Sequence, residues 1–122
     1  MTMPTERMRA IRWGRQLLQR IAADPSVSEG LRQRAAAVLP EYPEGDALSR
    51  LVTELAPALP RTFAAALSEA VKVFNQVHML GIGSEETRSE LRRALRHFPD
   101  GSMIVLMERG TLGLESFLSP EG

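Results

Sequence analysis

The sequence contains no cysteine and only one lysine. Without cysteine the protein has no disulfide framework, no thiolate metal site and no thiol nucleophile, so nothing requires an oxidising compartment. Long hydrophobic runs are also absent, since the longest run of large apolar residues, 103–107, is far shorter than the roughly 20 residues that span a membrane. Charged residues in the opening segment interrupt the apolar core that a signal peptide needs. These absences predict a cytoplasmic protein with no membrane partner.

Net charge is absent as well, because fifteen basic residues balance fifteen acidic ones. A protein without net charge has no bulk attraction to nucleic acid. The charge is nevertheless uneven: residues 1–40 hold seven arginines against three acidic residues, or +4, whereas residues 41–70 hold two arginines against five acidic residues, or −3. Such asymmetry can guide a binding partner, or it can pair the protein with a second copy of itself.

The composition that remains is typical of a folded domain. Apolar residues make up 43% of the chain and charged residues 25%, and 122 residues are enough to bury a hydrophobic core without disulfide bonds. We therefore expect one domain over residues 1–122, with a frayed C-terminal tail at 119–122.

Residues 60–80 predict the helix around which the rest of the chain packs. Apolar residues and one histidine recur at helical spacing along it, namely Phe63, Leu67, Ala70, Val71, Phe74, Val77 and His78. Pro60 suits the first turn, and Gly81 suits the left-handed position that follows a helix. A helix with so little polar surface must be covered by its neighbours, and we expect His78 to be buried among them.

Proline, glycine and capping residues divide the rest of the chain into further helices. Asp24-Pro25 ends the first helix, Asp46 is a candidate N-cap for a short third helix, and Ser84 is a candidate N-cap for a fifth. Residues 103–107 could form a strand or a short helix. We favour the helix, because no other segment alternates with the period of two that a partner strand would need. The sequence thus predicts an all-α, single-domain bundle of five or six helices around the central hydrophobic helix.

One internal similarity joins residues 31–48 to residues 87–104, which align without gaps from Leu31 with Thr87 to Leu48 with Ile104. Each segment contains a helix pattern, an aromatic-proline stop and an acidic-glycine turn. Two interpretations are open: two copies of a helix-turn-helix unit related by pseudo-symmetry, or a coincidence of stop residues. Because proline and glycine end most helices, we favour the coincidence.

The opening MTMPTERMRAIRWGRQLL, followed by LRQRAAAVLPEYP, resembles a family of short, uncharacterised bacterial helical proteins. Its members share a Met-Thr-Met-Pro-x-Glu-Arg start and an arginine-rich helix that runs into Tyr-Pro or Phe-Pro. The resemblance covers about the first 45 residues. It implies helical structure and a bacterial source, and it brings no activity, cofactor or catalytic residue.

Patterns that would indicate an enzyme are weak. His78 and His97 are the two histidines, and neither has a second histidine at the i+3 or i+4 spacing of a helical metal site. The Gly-x-Ser-x-Gly motif of a serine nucleophile is absent. Residues 81–84 look faintly like a phosphate-binding loop, but they follow a helix and precede two glutamates that would repel phosphate. We therefore predict no catalytic residue, no metal and no cofactor, while a small enzyme with a site assembled from distant residues stays an alternative.

An arginine-rich face on the first helix could bind nucleic acid. Arg9, Arg12, Trp13 and Arg20 could follow a phosphate backbone and stack a base. Arg9 lies one turn before Trp13, so its guanidinium could also cover the indole ring of the same helix. Because the chain lacks net positive charge and shows no known nucleic-acid-binding motif, we expect a solvated helix face instead and keep this partner as an alternative.

An acidic stretch, Glu41, Glu44, Asp46 and Glu54, is the predicted partner-binding site. Opposite charge speeds the association of two proteins, and small bacterial immunity or antitoxin proteins inhibit a toxic enzyme by covering a basic active site. The sequence permits this role. Our prediction is a non-enzymatic protein-binding module, most specifically an immunity-like or antitoxin-like inhibitor of a toxin or basic enzyme; its oligomeric state stays open.

Overall fold

The computed structural model describes residues 3–121. Met1 and Thr2, which open the N-terminal motif, and Gly122, at the end of the predicted frayed tail, lie outside the described residues. The described chain forms six α-helices and no strand: α1 (Pro4–Ala23), α2 (Glu29–Val38), α3 (Gly45–Thr53), α4 (Arg61–Leu80), α5 (Glu85–His97) and α6 (Gly101–Arg109). Two 3-10 turns follow α2 and α6, at Leu39–Glu41 and Leu114–Ser116. The all-α prediction is confirmed.

The two 20-residue helices, α1 and α4, carry the bundle. Helices α2 and α5 each pack against both of them, and α6 packs against α4. Residues 103–107, the segment that could have been a strand, lie within α6. The predicted central helix is therefore present as α4, and α1 has an equivalent role.

Local interactions at the helix ends agree with most of the sequence expectations. Gly81 ends α4 with a φ of 65°, and Ser84 caps α5 by accepting a hydrogen bond from the Thr87 amide at 3.2 Å. The expected cap of α3 is wrong, because the helix begins at Gly45 with Glu44 as its N-cap residue and Asp46 lies inside the first turn. The helix therefore begins two residues earlier than expected, with Gly45 and Asp46 both in its first turn.

His78 is not buried, in contrast to the sequence prediction. The core-facing stripe of α4 continues through Phe74 and Val77, but residues 78–81 are all exposed. The end of α4 is thus left uncovered, and Gly81 takes the left-handed conformation that ends the helix before α5 begins. Periodicity identified the face of the helix on which His78 lies, whereas the length of the covering helices decides its exposure.

The two halves of the chain bury equivalent positions. When the offset that aligns Leu31 with Thr87 is applied to the long helices, all seven buried residues of α1 have a buried counterpart in α4. The α1 residues are Met8, Ala10, Ile11, Gly14, Leu17, Leu18 and Ile21. Their α4 counterparts are Ala64, Ala66, Leu67, Ala70, Val73, Phe74 and Val77.

The same offset relates the other helices of the two halves. Leu31, Ala35 and Val38 of α2 correspond to Thr87, Leu91 and Ala94 of α5, and all six are buried. Helices α3 and α6 have the same length, and their first residues, Gly45 and Gly101, are equivalent positions. The repeat thus extends well beyond the segment 31–48 in which the sequence revealed it. The structure favours two matching halves, residues 4–53 and 60–109, over a coincidence of stop residues.

The aromatic residues at equivalent positions of the two halves meet beside Gly14 of α1. Tyr42 is buried and donates a hydrogen bond from its hydroxyl to the Ile11 carbonyl. Phe98 packs edge-on against Phe74 of α4, with ring centroids 5.4 Å apart and an interplanar angle of 87°. A side chain at position 14 would overlap the Tyr42 hydroxyl and lie 3.0 Å from the Phe98 ring. Glycine is therefore required there by close packing.

We expect Gly14→Ala to lower the free energy of unfolding by about 1–2 kcal/mol. Overpacking a core costs about 1–3 kcal/mol, which exceeds the gain of up to about 1 kcal/mol from the better helix propensity of alanine. Gly30→Ala in α2 is the matched control, because a Cβ there meets nothing within 4 Å. Urea denaturation of both variants provides the measurement. Stability of Gly14→Ala equal to or above that of Gly30→Ala would contradict the packing argument.

Candidate functional site

Two helix pairs, α1 with α5 and α2 with α4, occupy equivalent places, and each pair joins one helix from each half. Both pairs run antiparallel. In the first pair, Arg20 near the end of α1 contacts Glu86 near the start of α5, while Glu6 contacts His97 at the other end. The two pairs differ in the side chains that fill the surface between the helices. The α1–α5 pair is closed around Trp13, whereas the corresponding part of the α2–α4 pair forms an open groove.

The open groove lies between α2 and α4 and has a volume of about 560 Å³. Its floor is apolar, formed by Ala37 and Val38 of α2 with Ala65 and Ala66 of α4. Its charged and polar rim consists of Arg34, Glu41, Thr62 and Glu69. We call this surface the α2–α4 groove. A site of this size with an apolar floor and few polar groups is suited to binding a side chain or a small molecule.

The charges of the α2–α4 groove are only partly paired. Glu69 lies 3.6 Å from the guanidinium of Arg34 and 3.4 Å from the Lys72 ammonium, and Arg34 also donates a hydrogen bond to Gln76. The Glu41 carboxylate is exposed and makes no hydrogen bond or ion pair within residues 3–121. Arg34 and Lys72 together balance the two glutamates, and Glu41 is the carboxylate of the rim that has no paired cation within the described residues.

The equivalent surface between α1 and α5 is closed by an aromatic-cation pair. Trp13 occupies the position that corresponds to Glu69, and Arg93 occupies the position of Ala37. The Arg93 guanidinium lies over the Trp13 ring, 5.4 Å from its centroid. At this place only a small depression of about 60 Å³ remains, lined by Trp13, Gln16, Leu17, Glu90, Arg93 and Ala94.

The four predicted partner-binding residues lie on different surfaces. Glu41 is on the rim of the α2–α4 groove. Glu44 lies 3.6 Å from Arg15 of α1. Asp46 and Glu54 line one shallow depression along α3, together with Ser49, Arg50 and Thr53. The structure thus brings together Asp46 and Glu54, and it places Glu41 at the groove.

The arginine-rich face of α1 is largely occupied by interactions within the protein. Arg20 pairs with Glu90 at 3.1 Å and with Glu86 at 2.8 Å, and Glu90 is the main cause of the raised pKa of Arg20. The Arg12 guanidinium donates a hydrogen bond to the Ser49 hydroxyl at 2.6 Å. Arg9 is exposed.

The predicted contact between Arg9 and Trp13 is not the one that forms. Arg93 covers the ring instead, because the antiparallel packing of α5 on α1 brings an arginine from a distant part of the sequence over it. Spacing along one helix could not reveal this contact. The alignment of the two halves could have done so, since it sets Arg93 against Ala37 and Trp13 against Glu69.

Asp24 lies at the centre of a polar cluster. The sequence predicted this residue only as part of the end of the first helix. Its carboxylate accepts hydrogen bonds from the Thr87 hydroxyl at 2.7 Å, the Ser84 amide at 2.8 Å and the Ser26 amide at 2.8 Å. Burial raises the pKa of Asp24, but these hydrogen bonds outweigh the burial and lower the pKa from 3.8 to about 2. The cluster joins the end of α1 to the start of α5, so its role is structural.

The histidines and the remaining acidic residues form no visible metal site. His97 Nε2 lies 3.2 Å from Glu6, and His78 is exposed. Among residues 3–121 there is no group of three or more histidine, aspartate or glutamate side chains placed to hold a metal ion. Within the same residues, no helix combines the length and the apolar character that crossing a membrane requires.

The α2–α4 groove is the strongest candidate for a functional site. Among the surface depressions described here, it has the most apolar lining. It contains one predicted partner-binding residue, Glu41, whereas Arg34, Glu69 and the alanines of its floor were not predicted from the sequence. In comparisons with known proteins, the chain matches no protein-family model, no curated protein and no solved structure.

Proposed function

We propose that this protein acts without catalysis by binding another protein through the α2–α4 groove. The observation that carries the proposal is the open apolar floor of the groove, whereas Trp13 and Arg93 close the equivalent surface between α1 and α5. Apolar surface that the chain covers at one of two equivalent places and leaves open at the other is suited to covering by a partner.

The more specific proposal is an inhibitor of the immunity or antitoxin kind with a basic partner. Glu41 supplies an unpaired carboxylate at the groove, and Asp46 and Glu54 add acidic groups along α3. Negative charge around a binding surface increases the rate at which a basic protein associates. The bacterial setting of this proposal rests on the resemblance of the N-terminal segment.

The charges of the arginine-rich face favour a protein partner over a nucleic acid. Arg20 forms ion pairs with two glutamates of α5, which leaves less positive charge for phosphate groups. A nucleic-acid-binding protein should lose affinity steeply as salt increases, because binding releases counterions. We expect no salt-dependent shift of the protein with DNA or RNA.

Charge reversal at the groove tests the proposed function. A tagged protein is first used to isolate the partner from native cell lysate, with and without nuclease, and the purified pair is then studied by surface plasmon resonance. We expect Glu41→Lys to weaken binding about tenfold, equivalent to about 1.4 kcal/mol, and to slow association. Glu108→Lys on α6 is the matched control, because Glu108 is exposed and does not line the groove.

Three results would contradict the proposal. One is an equal effect of Glu41→Lys and Glu108→Lys, which would remove the groove from the interface. Another is loss of all bound material after nuclease treatment, which would favour the arginine-rich face. A third is retention of affinity and association rate by Glu41→Lys. The variant Asp46→Lys measures separately whether the α3 surface contributes.

A further inference from the structure

We propose that the α2–α4 groove binds an aromatic side chain accompanied by a cation, such as tryptophan beside arginine or lysine in a partner polypeptide. This inference rests on the proposed function, because it names the chemistry of the partner. Its basis is the equivalent helix pair of the same molecule, α1 with α5. There, an indole ring and a guanidinium occupy the corresponding surface.

The position-by-position correspondence explains why one surface is closed and the other open. In the alignment of the two halves, Trp13 is replaced by Glu69, and Arg93 by Ala37. The first change removes the ring, and the second removes the group that covers it. Arg9 is likewise replaced by Ala65, so the groove lacks a third large side chain. The absence of the ring and of the guanidinium that covers it is consistent with a groove of about 560 Å³, whereas about 60 Å³ is left beside Trp13 on the α1–α5 pair.

The floor of the groove keeps the apolar character that an aromatic ring requires. Val38 and Ala66 of the groove correspond to Ala94 and Ala10, and all four residues are buried. The remaining floor residues, Ala37 and Ala65, replace two arginines, so the groove lacks the long side chains of the α1–α5 surface. An incoming ring would bury apolar surface on this floor.

The rim of the groove favours a cation beside the ring. Glu41 corresponds to His97, which contacts Glu6 at 3.2 Å between α1 and α5, whereas Glu41 has no such partner because Thr62 replaces Glu6. Its carboxylate is thus available to a positive group above the floor. Glu69 is balanced by Arg34 and Lys72, so the Glu41 carboxylate is the group that distinguishes a cationic ligand from an anionic one. An anionic aromatic ligand would be repelled by Glu41.

Tryptamine and indole-3-acetate are the probes, because they present the same ring with opposite charge. In a heteronuclear NMR titration of the whole chain, we expect tryptamine to shift the amides of Ala37, Val38, Ala65 and Ala66 with a dissociation constant in the millimolar range, as is typical of so small a ligand. Indole-3-acetate should bind at least about tenfold more weakly, because its carboxylate meets Glu41.

Two double variants test the correspondence between the halves. Glu69→Trp with Ala37→Arg rebuilds the Trp13–Arg93 pair on α2 and α4 and should abolish tryptamine binding. The exposed Ala37 and half-exposed Glu69 should tolerate these changes. Trp13→Ala with Arg93→Ala should open a second site and produce new shifts at Ala10 and Ala94. Circular dichroism confirms that each variant is folded. We call Glu69→Trp with Ala37→Arg the closing variant, and it still tests the inference if the other double variant unfolds.

The outcomes separate this inference from the proposed function. Tryptamine shifts at the groove that disappear in the closing variant support the inference. The absence of saturable shifts, unchanged binding by the closing variant, or equal affinity for the two probes would overturn it. If the probes fail while Glu41→Lys still weakens the protein partner, the partner binds by other chemistry and only the inference is wrong. If tryptamine binds and Glu41→Lys has no effect on the partner, the aromatic site stands and the proposed function is wrong.

Discussion

Replacing Phe74 with alanine is expected to lower the free energy of unfolding by about 3–5 kcal/mol. Phe74 is completely buried in α4 and packs edge-on against Phe98, which follows α5. The substitution removes a large ring from the point where the two halves meet and leaves a cavity that surrounding helices can fill only in part. Since small domains have only about 5–15 kcal/mol of net stability, such a loss would leave the variant marginally folded.

Chemical denaturation followed by circular dichroism measures this loss. Met79→Ala, near the end of the same helix, is the control, because Met79 is 83% exposed and its truncation should change stability by less than about 0.5 kcal/mol. A loss of less than about 1 kcal/mol for Phe74→Ala would show that α4 does not hold the core together.

The helices themselves could be predicted from local sequence. Apolar periodicity located α4, and Gly81 and Ser84 marked the boundary between α4 and α5, because capping and chain reversal depend on residues close together in the sequence. Residues 103–107 were identified as helical by exclusion, since no segment could pair with them as a strand. These features depend on backbone chemistry that a short stretch of sequence contains.

Contacts between helices could not be predicted in the same way. The exposure of His78 depends on how far the neighbouring helices extend, and the partner of Trp13 proved to be Arg93, far along the chain. The predicted acidic site was also divided, because Glu41 ends in the α2–α4 groove while Asp46 and Glu54 lie along α3. Charge density along a sequence does not specify the surface to which each residue belongs.

The internal repeat is the sequence feature that could have predicted more of the contacts between helices. Only residues 31–48 and 87–104 matched well enough to be noticed, because both contain proline and glycine at the same places. The long helices differ in side-chain identity while they share a burial pattern, as with Gly14 and Ala70 or Leu18 and Phe74. Aligning the halves through the whole length of α1 and α4 would have placed Trp13 opposite Glu69. This alignment would have revealed the difference in side chains that leaves the groove open.

Replacing Asp24 with alanine is expected to lower the free energy of unfolding by about 2–3 kcal/mol at neutral pH. The variant removes a buried carboxylate and leaves the amides of Ser26 and Ser84 and the Thr87 hydroxyl without their acceptor, and unsatisfied buried donors cost about 1–3 kcal/mol each without being additive. Asp100→Ala is the matched control. Asp100 is also a capping carboxylate, bound to the Met103 amide at 2.9 Å, but it is exposed, so its loss should cost about 1 kcal/mol.

The pH dependence of this loss of stability distinguishes the contribution of the Asp24 charge from the contribution of its packing. The pKa of Asp24 is about 2 in the folded protein and 3.8 without the fold, so the unfolded chain binds the proton more readily. The stability contributed by the ionised carboxylate is therefore complete above about pH 4 and is lost as the pH falls through about 2. Urea denaturation between pH 7 and pH 2.5 should show the stability of the wild type falling towards that of Asp24→Ala. A difference between the two proteins that stays constant over this range would mean that Asp24 joins α1 to α5 by its shape and not by its charge.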